Sequence, residues 1–110
     1  DVRLVTVAGG NVGLDRTMAN ARAVVGLSGR AVPIVAGSDH ALVAPFRAET
    51  AVHGGDGLGG VGLPEGPPLT PGVAADAIRS LLRAAAPASV TVIGLGTATN
   101  LALAFATEPA

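Results

Sequence analysis

The stretch Ser89–Ala106, SVTVIGLGTATNLALAFA, constrains the fold more than any other part of the chain. Val90–Leu95 is an apolar, β-branched run. Such a run marks a central strand of a parallel sheet, where helices cover both faces. Gly94, Gly96, Thr97, Thr99 and Asn100 follow as a turn cluster, and Leu101–Ala106 reads as the start of a helix. In such sheets ligands sit off the carboxyl ends of the strands, where helix N-termini offer free N–H groups. Thr97, Thr99 and Asn100 therefore fall where a site is expected. Arg3–Val7 repeats the design and runs into Ala8-Gly9-Gly10-Asn11. Two strands ending in small residues plus a polar one predict two walls of one pocket.

Between these ends the pattern alternates. Leu14, Met18, Ala21 and Val25 form one apolar helical stripe, with Asp15, Arg16, Asn20 and Arg22 opposite and Gly26 and Gly29 at the exit. Val32–Ala36 reads as a second strand, so the first 36 residues predict a βαβ unit with parallel strands. Residues 37–71 are rich in glycine and proline and lack helical periodicity. A connection this long inside a compact domain is more often a binding loop or lid than a plain linker. Its centre, Val52-His53-Gly54-Gly55-Asp56-Gly57-Leu58-Gly59-Gly60, places a histidine and an aspartate among apolar residues. Thr70-Pro71 predicts a helix start, Thr as N-cap and Pro at the first position, and Ala74, Ile78, Leu81 and Ala85 line its apolar face. Pro87 ends that helix.

The expected architecture is α/β, an open, mostly parallel sheet with flanking helices, in a single unit over residues 1–110. The opening on a strand and the ending Glu108-Pro109-Ala110 just inside a helix predict a domain incomplete at both ends.

Composition narrows the chemistry. Net charge is -1 with no basic stripe, and Phe46 and Phe105 are the only aromatic residues, too few for a base-stacking platform. Nucleic acid is not the expected partner. No apolar run reaches the ~18 residues of a membrane span, and a cytoplasmic location is expected. Without cysteine there is no thiol nucleophile or thiolate metal site; without lysine there is no Schiff base and no P-loop lysine. Gly94-Leu95-Gly96-Thr97-Ala98-Thr99 matches the dinucleotide fingerprint only in part, because its third glycine is Thr99.

Among titratable residues, His53 in the glycine-rich loop is the candidate ligand contact or proton carrier, whereas His40, in Gly37-Ser38-Asp39-His40, reads as a surface histidine. The eight acids are scattered, so the six to eight oxygens of a calcium site cannot be assembled from them alone. Asp15 and Asp76 read as helix-surface residues, and Asn11 as a turn former or a ligand hydrogen-bonder.

Five blocks in order and spacing resemble the inosine–uridine-preferring nucleoside hydrolase family: Thr6-Val7-Ala8-Gly9-Gly10-Asn11-Val12; Leu14-Asp15-Arg16-Thr17 through Asn20-Ala21; Val32-Pro33-Ile34-Val35-Ala36-Gly37; Val52-His53-Gly54 with Asp56-Gly57-Leu58-Gly59; and Leu95-Gly96-Thr97-Ala98-Thr99-Asn100-Leu101-Ala102. The resemblance implies hydrolysis of the N-glycosidic bond of ribonucleosides, with calcium holding the attacking water and the ribose hydroxyls. Carried over by position, Thr99 matches the residue whose main-chain carbonyl ligates calcium, and Asn11 the asparagine at the sugar. His53 lies in the loop that closes over the substrate. The family's aspartate cluster would precede Asp1, and its later ribose contacts and His-Asp pair would follow Ala110. Gly55 replaces an acid common in the family. The resemblance thus implies a calcium-dependent enzyme, a homo-oligomer when complete, of which this segment carries half a pocket and no catalytic residue. Two other readings stand beside it: a nucleoside- or sugar-binding module without hydrolase activity, and an inactive remnant.

Overall fold

β1 (Val5–Val7) and β2 (Ile34–Ala36) pair in parallel, with Val5 opposite Ile34 and Val7 opposite Ala36. The computed structural model describes residues 1–45 and 47–108; Phe46, Pro109 and Ala110 lie outside the described residues. The crossover between the strands is α1 (Leu14–Leu27), so the βαβ unit expected from the sequence is present. Further along come the short α2 (Thr50–His53), then α3 (Ala74–Ala84) and α4 (Thr99–Thr107).

The core lies on both sides of this ribbon. Ile34 is 1% exposed, and burying a side chain of that size contributes about 1.5–3 kcal/mol. On one side Ala75 and Ile78 of α3 meet Ala104 of α4, with Leu4, Leu82 and Leu101 packed against them. On the other side lies α1, whose polar face is not simply solvated. Asn20 donates through Nδ2 to the Asp56 carbonyl at 2.8 Å. Arg22 donates to the Pro67 carbonyl at 2.6 Å, the Gly66 carbonyl at 3.1 Å and the Glu65 carboxylate at 2.8 Å. These contacts bind the long connection over the helix and leave Ala23, off the apolar stripe, as its one buried residue. The connection is therefore a strapped segment rather than a free linker.

Two expectations fail. Thr70-Pro71 does not start a helix; α3 begins at Ala74, because Gly72 takes φ +139, outside helical space, and the Thr70 N–H donates to the Ile34 carbonyl at 2.8 Å. More consequentially, Val90–Leu95 is not a sheet strand. It faces the free edge of β1 across a trough of about 1390 Å³ that both segments line. Among the described residues no strand fills that position, so the ladder bonds that define a strand are missing. Ile93 and Leu95, expected to be covered on both faces, are 74% and 95% exposed.

Candidate functional site

The two predicted walls do meet. Past β1 the chain turns through Gly9, Gly10 and Asn11; before α4 it turns through Gly96, Thr97 and Ala98. Both turns line one cavity of about 500 Å³, with Gly9, Gly10 and Asn11 on one side and Thr97 and Thr99 on the other. Ala41, Ala44 and Pro45 add an apolar wall, and Arg47 and Glu49 the charged groups. The main chain ties these parts together: the Glu49 N–H donates to the Asn11 carbonyl at 2.9 Å, and the Thr97 hydroxyl donates to the Gly9 carbonyl at 2.8 Å.

A side chain from α4 fastens the base of the site. Asn100, 5% exposed, donates through Nδ2 to the Val7 carbonyl and accepts through Oδ1 from the Ser38 N–H, each at 3.0 Å. The amide has room because residue 37 is glycine: a Cβ there would lie 2.1 Å from Oδ1. The sequence placed Asn100 in the turn cluster without assigning it this contact.

Of the three residues singled out in the sequence, the structure brings Asn11 and Thr99 to the same cavity, Thr99 as the first residue of α4. His53 is not among the residues lining that cavity. It ends α2, half-buried, and its carbonyl accepts from the Gly59 N–H at 2.9 Å. The loop after it is organised by Asp56, whose carboxylate accepts from the Leu58 and Gly60 N–H groups at 3.0 Å each. Those two donors, first Leu58 and then Gly60, with a smaller contribution from the charge of Arg16, hold the Asp56 carboxyl below its ordinary value. Gly57 in this loop has φ +74 and lies so close to Val12 that a Cβ would sit 2.9 Å from Cγ2. An aspartate followed by glycines is a turn-forming pattern, and that was the signal for this role. His40 pairs with the exposed Asp39 on the surface, where the imidazole hydrogen bond lowers the Asp39 carboxyl from its ordinary value.

Calcium takes six to eight oxygen ligands, several of them carboxylates. The cavity wall offers one carboxylate, Glu49, beside the Asn11 amide and the threonine oxygens. Among the described residues no three His, Cys, Asp or Glu side chains are grouped so as to hold a metal ion. These residues do not fit a calcium site by themselves.

Comparison with known proteins is consistent along the whole chain. The family model for inosine-uridine preferring nucleoside hydrolase matches residues 1–110. An uncharacterised protein of Schizosaccharomyces pombe is 40% identical over 96% of this chain and 34% of its own length. The non-specific ribonucleoside hydrolase RihC of Klebsiella pneumoniae is 35% identical over 99% of this chain and 36% of its own. Among solved structures, the purine-preferring ribonucleoside hydrolase from Gardnerella vaginalis superposes with a TM-score of 0.89 at 26% identity, over 99% of this chain and 36% of that one. A plant nucleoside hydrolase superposes with a TM-score of 0.84 at 31% identity, over 99% and 35%. The chain thus spans about a third of the length of the relatives it matches. Matched over residues 1–110, the chain belongs to the inosine-uridine preferring nucleoside hydrolase family.

Proposed function

We propose that this chain is part of an enzyme that hydrolyses the N-glycosidic bond of ribonucleosides, giving ribose and free base. The observation that carries the reading is the meeting of Asn11 and Thr99 in one cavity at the carboxyl end of β1. A ribose presents a ring of hydroxyls, and a cavity with an amide, threonine oxygens and glycine backbone on facing walls suits such a ligand. In the reaction the C1′–N bond breaks with its electron pair leaving on the base. A water oxygen bonds to C1′, and the water gives up a proton while the departing base gains one. In this reading Asn11 hydrogen-bonds a sugar hydroxyl and the Thr99 carbonyl serves as an oxygen ligand. Gly9 and Gly10 let the backbone approach closely, and the Ala41–Pro45 wall keeps water from the sugar face. His53, outside the cavity, acts when its loop moves toward the substrate.

In the complete protein, a calcium site of the kind the resemblance implies takes most of its oxygens from outside these 110 residues. The partner is a small ribonucleoside rather than nucleic acid or a membrane, and the complete protein is a cytoplasmic homo-oligomer serving nucleoside salvage. Among the described residues no helix is long and apolar enough to cross a membrane.

The alternative is a module on the same scaffold that uses this cavity to bind nucleosides without cleaving them. A single experiment separates the two. The full-length protein is incubated with inosine and uridine, with free base measured by chromatography and sugar by reducing-end assay. Equimolar base and ribose support the hydrolase; saturable binding without release supports the module.

A further inference from the structure

The Asn100 amide closes a ring of contacts that reaches both walls of the cavity without lining the smaller cavity itself. Its Nδ2 donates to the carbonyl of Val7, the last residue of β1, and its Oδ1 accepts from the N–H of Ser38, just past β2. The Ser38 carbonyl in turn accepts from the Gly9 N–H at 2.8 Å. The ring therefore runs from α4 to β1, through the Gly9 turn to the end of β2, and back to α4. Its partners fix the orientation of the amide, because Val7 offers only an acceptor and Ser38 only a donor. Asn11 lies two residues beyond Gly9, and Thr99 immediately precedes Asn100.

We propose that Asn100 is a positioning residue of the site, setting the separation between the Asn11 and Thr99 walls. The proposal rests on the nucleoside hydrolase reading for its kinetic consequences but not for its structural one. A carboxylate in its place loses the donor to Val7, and an alanine loses both bonds and leaves the buried Val7 carbonyl and the partly buried Ser38 N–H without their partner. Misplacing binding groups by about an ångström is enough to cost a hundred-fold in rate.

The test uses the full-length protein with Asn100→Ala, Asn100→Asp, Gly37→Ala and the Gly37→Ala/Asn100→Ala double variant. All are assayed with inosine at a temperature where circular dichroism shows each to be folded. Asn100→Ala is expected to lower kcat/KM roughly 10- to 100-fold, with the loss in kcat and KM within about three-fold. Gly37→Ala should give the same split, because its Cβ displaces the same amide. The double variant should be no worse than Asn100→Ala alone, since the truncated side chain makes room for the new methyl. Asn100→Asp serves if the alanine variant does not fold. Activity of a folded Asn100 variant within two-fold of wild type, a loss confined to KM, or additive effects in the double variant would overturn the proposal. If the wild-type protein releases no base, the hydrolase reading fails. Crystal structures of wild type and the variant then decide the inference alone: an unchanged Asn11–Thr99 separation refutes it, and a displaced one supports it.

Discussion

The Thr97 hydroxyl and the Gly9 carbonyl, 88 residues apart in sequence, are joined by a 2.8 Å hydrogen bond at the rim of the cavity. Gly9 is buried, so its carbonyl has little access to water in compensation. Thr97→Val keeps the shape and removes the donor; leaving that carbonyl unmatched should destabilise the full-length protein by about 1–3 kcal/mol. Thr97→Ser should recover most of it. Urea denaturation of the three proteins checks this, and equal midpoints for Val and Ser would show that the bond contributes nothing.

How far this arrangement was legible in the sequence differs from element to element. The βαβ unit was readable because α1 and its flanking strands carry their own local periodicity and are satisfied by one another. The convergence of Asn11 with Thr99 was readable because each turn follows an apolar run, β1 or Val90–Leu95, and polar turn residues gather past the carboxyl ends of such runs, although the second forms no ladder here. The Val90–Leu95 strand misled for a physical reason. An apolar run records the surroundings it is suited to, and here no neighbouring strand among the described residues supplies them. The Thr70-Pro71 helix start failed because the conformation of Gly72 outweighs a favourable capping pair. Neither the Asn100 ring nor the Arg22 strap was legible, since both depend on pairings more than forty residues apart.

Acid should loosen the loop after His53 before it unfolds the rest. Asp56 organises that loop as a carboxylate, and its folded value lies below the ordinary 3.8. A lowered value means that the stabilisation is complete above the unfolded value and is lost as pH falls through the folded one. Hydrogen exchange at the Leu58 and Gly60 amides, followed in the full-length protein from pH 6 to about pH 2.5, should show protection fading only below about pH 4. Asp56→Asn keeps an acceptor oxygen but no titrating group, so its protection should not change across that window. A wild-type protein whose loop protection is flat to the lowest pH would refute the role of the carboxylate.

The trough beside β1 makes the isolated 110-residue chain vulnerable. One edge of β1 and the apolar residues Val92, Ile93 and Leu95 face it without strand partners among the described residues, a template for pairing with other chains. The isolated chain should be catalytically silent toward inosine and uridine, with or without calcium. It should also aggregate on warming, and Ile93→Lys should slow that aggregation. Light scattering during a thermal ramp reports it. A sharp, reversible, monomeric transition in the unsubstituted chain would refute the expectation.

The sharpest contrast lies among the three residues picked out from the sequence, compared in the full-length protein. Asn11 is in the cavity wall and is exposed, so Asn11→Ala should leave the fold intact and, in the role proposed for it, remove one hydrogen bond to the sugar. One such bond contributes roughly 0.5–1.5 kcal/mol, rising to ~3 if a buried partner is left unmatched. The expected fall in kcat/KM is therefore between a few-fold and about a hundred-fold. Thr99 shares the cavity but is assigned a role through its carbonyl, which Thr99→Val retains. Calcium affinity and kcat/KM should then stay within a few-fold. His53 stands outside the cavity on the loop that Asp56 holds, so His53→Ala should alter KM or kcat through loop closure and leave calcium titration unchanged. Viscosity dependence of kcat separates these effects, because a closure or release step responds to solvent viscosity and a lost sugar contact does not. Equal and small effects from Asn11→Ala and His53→Ala would mean that both residues only shape their loops.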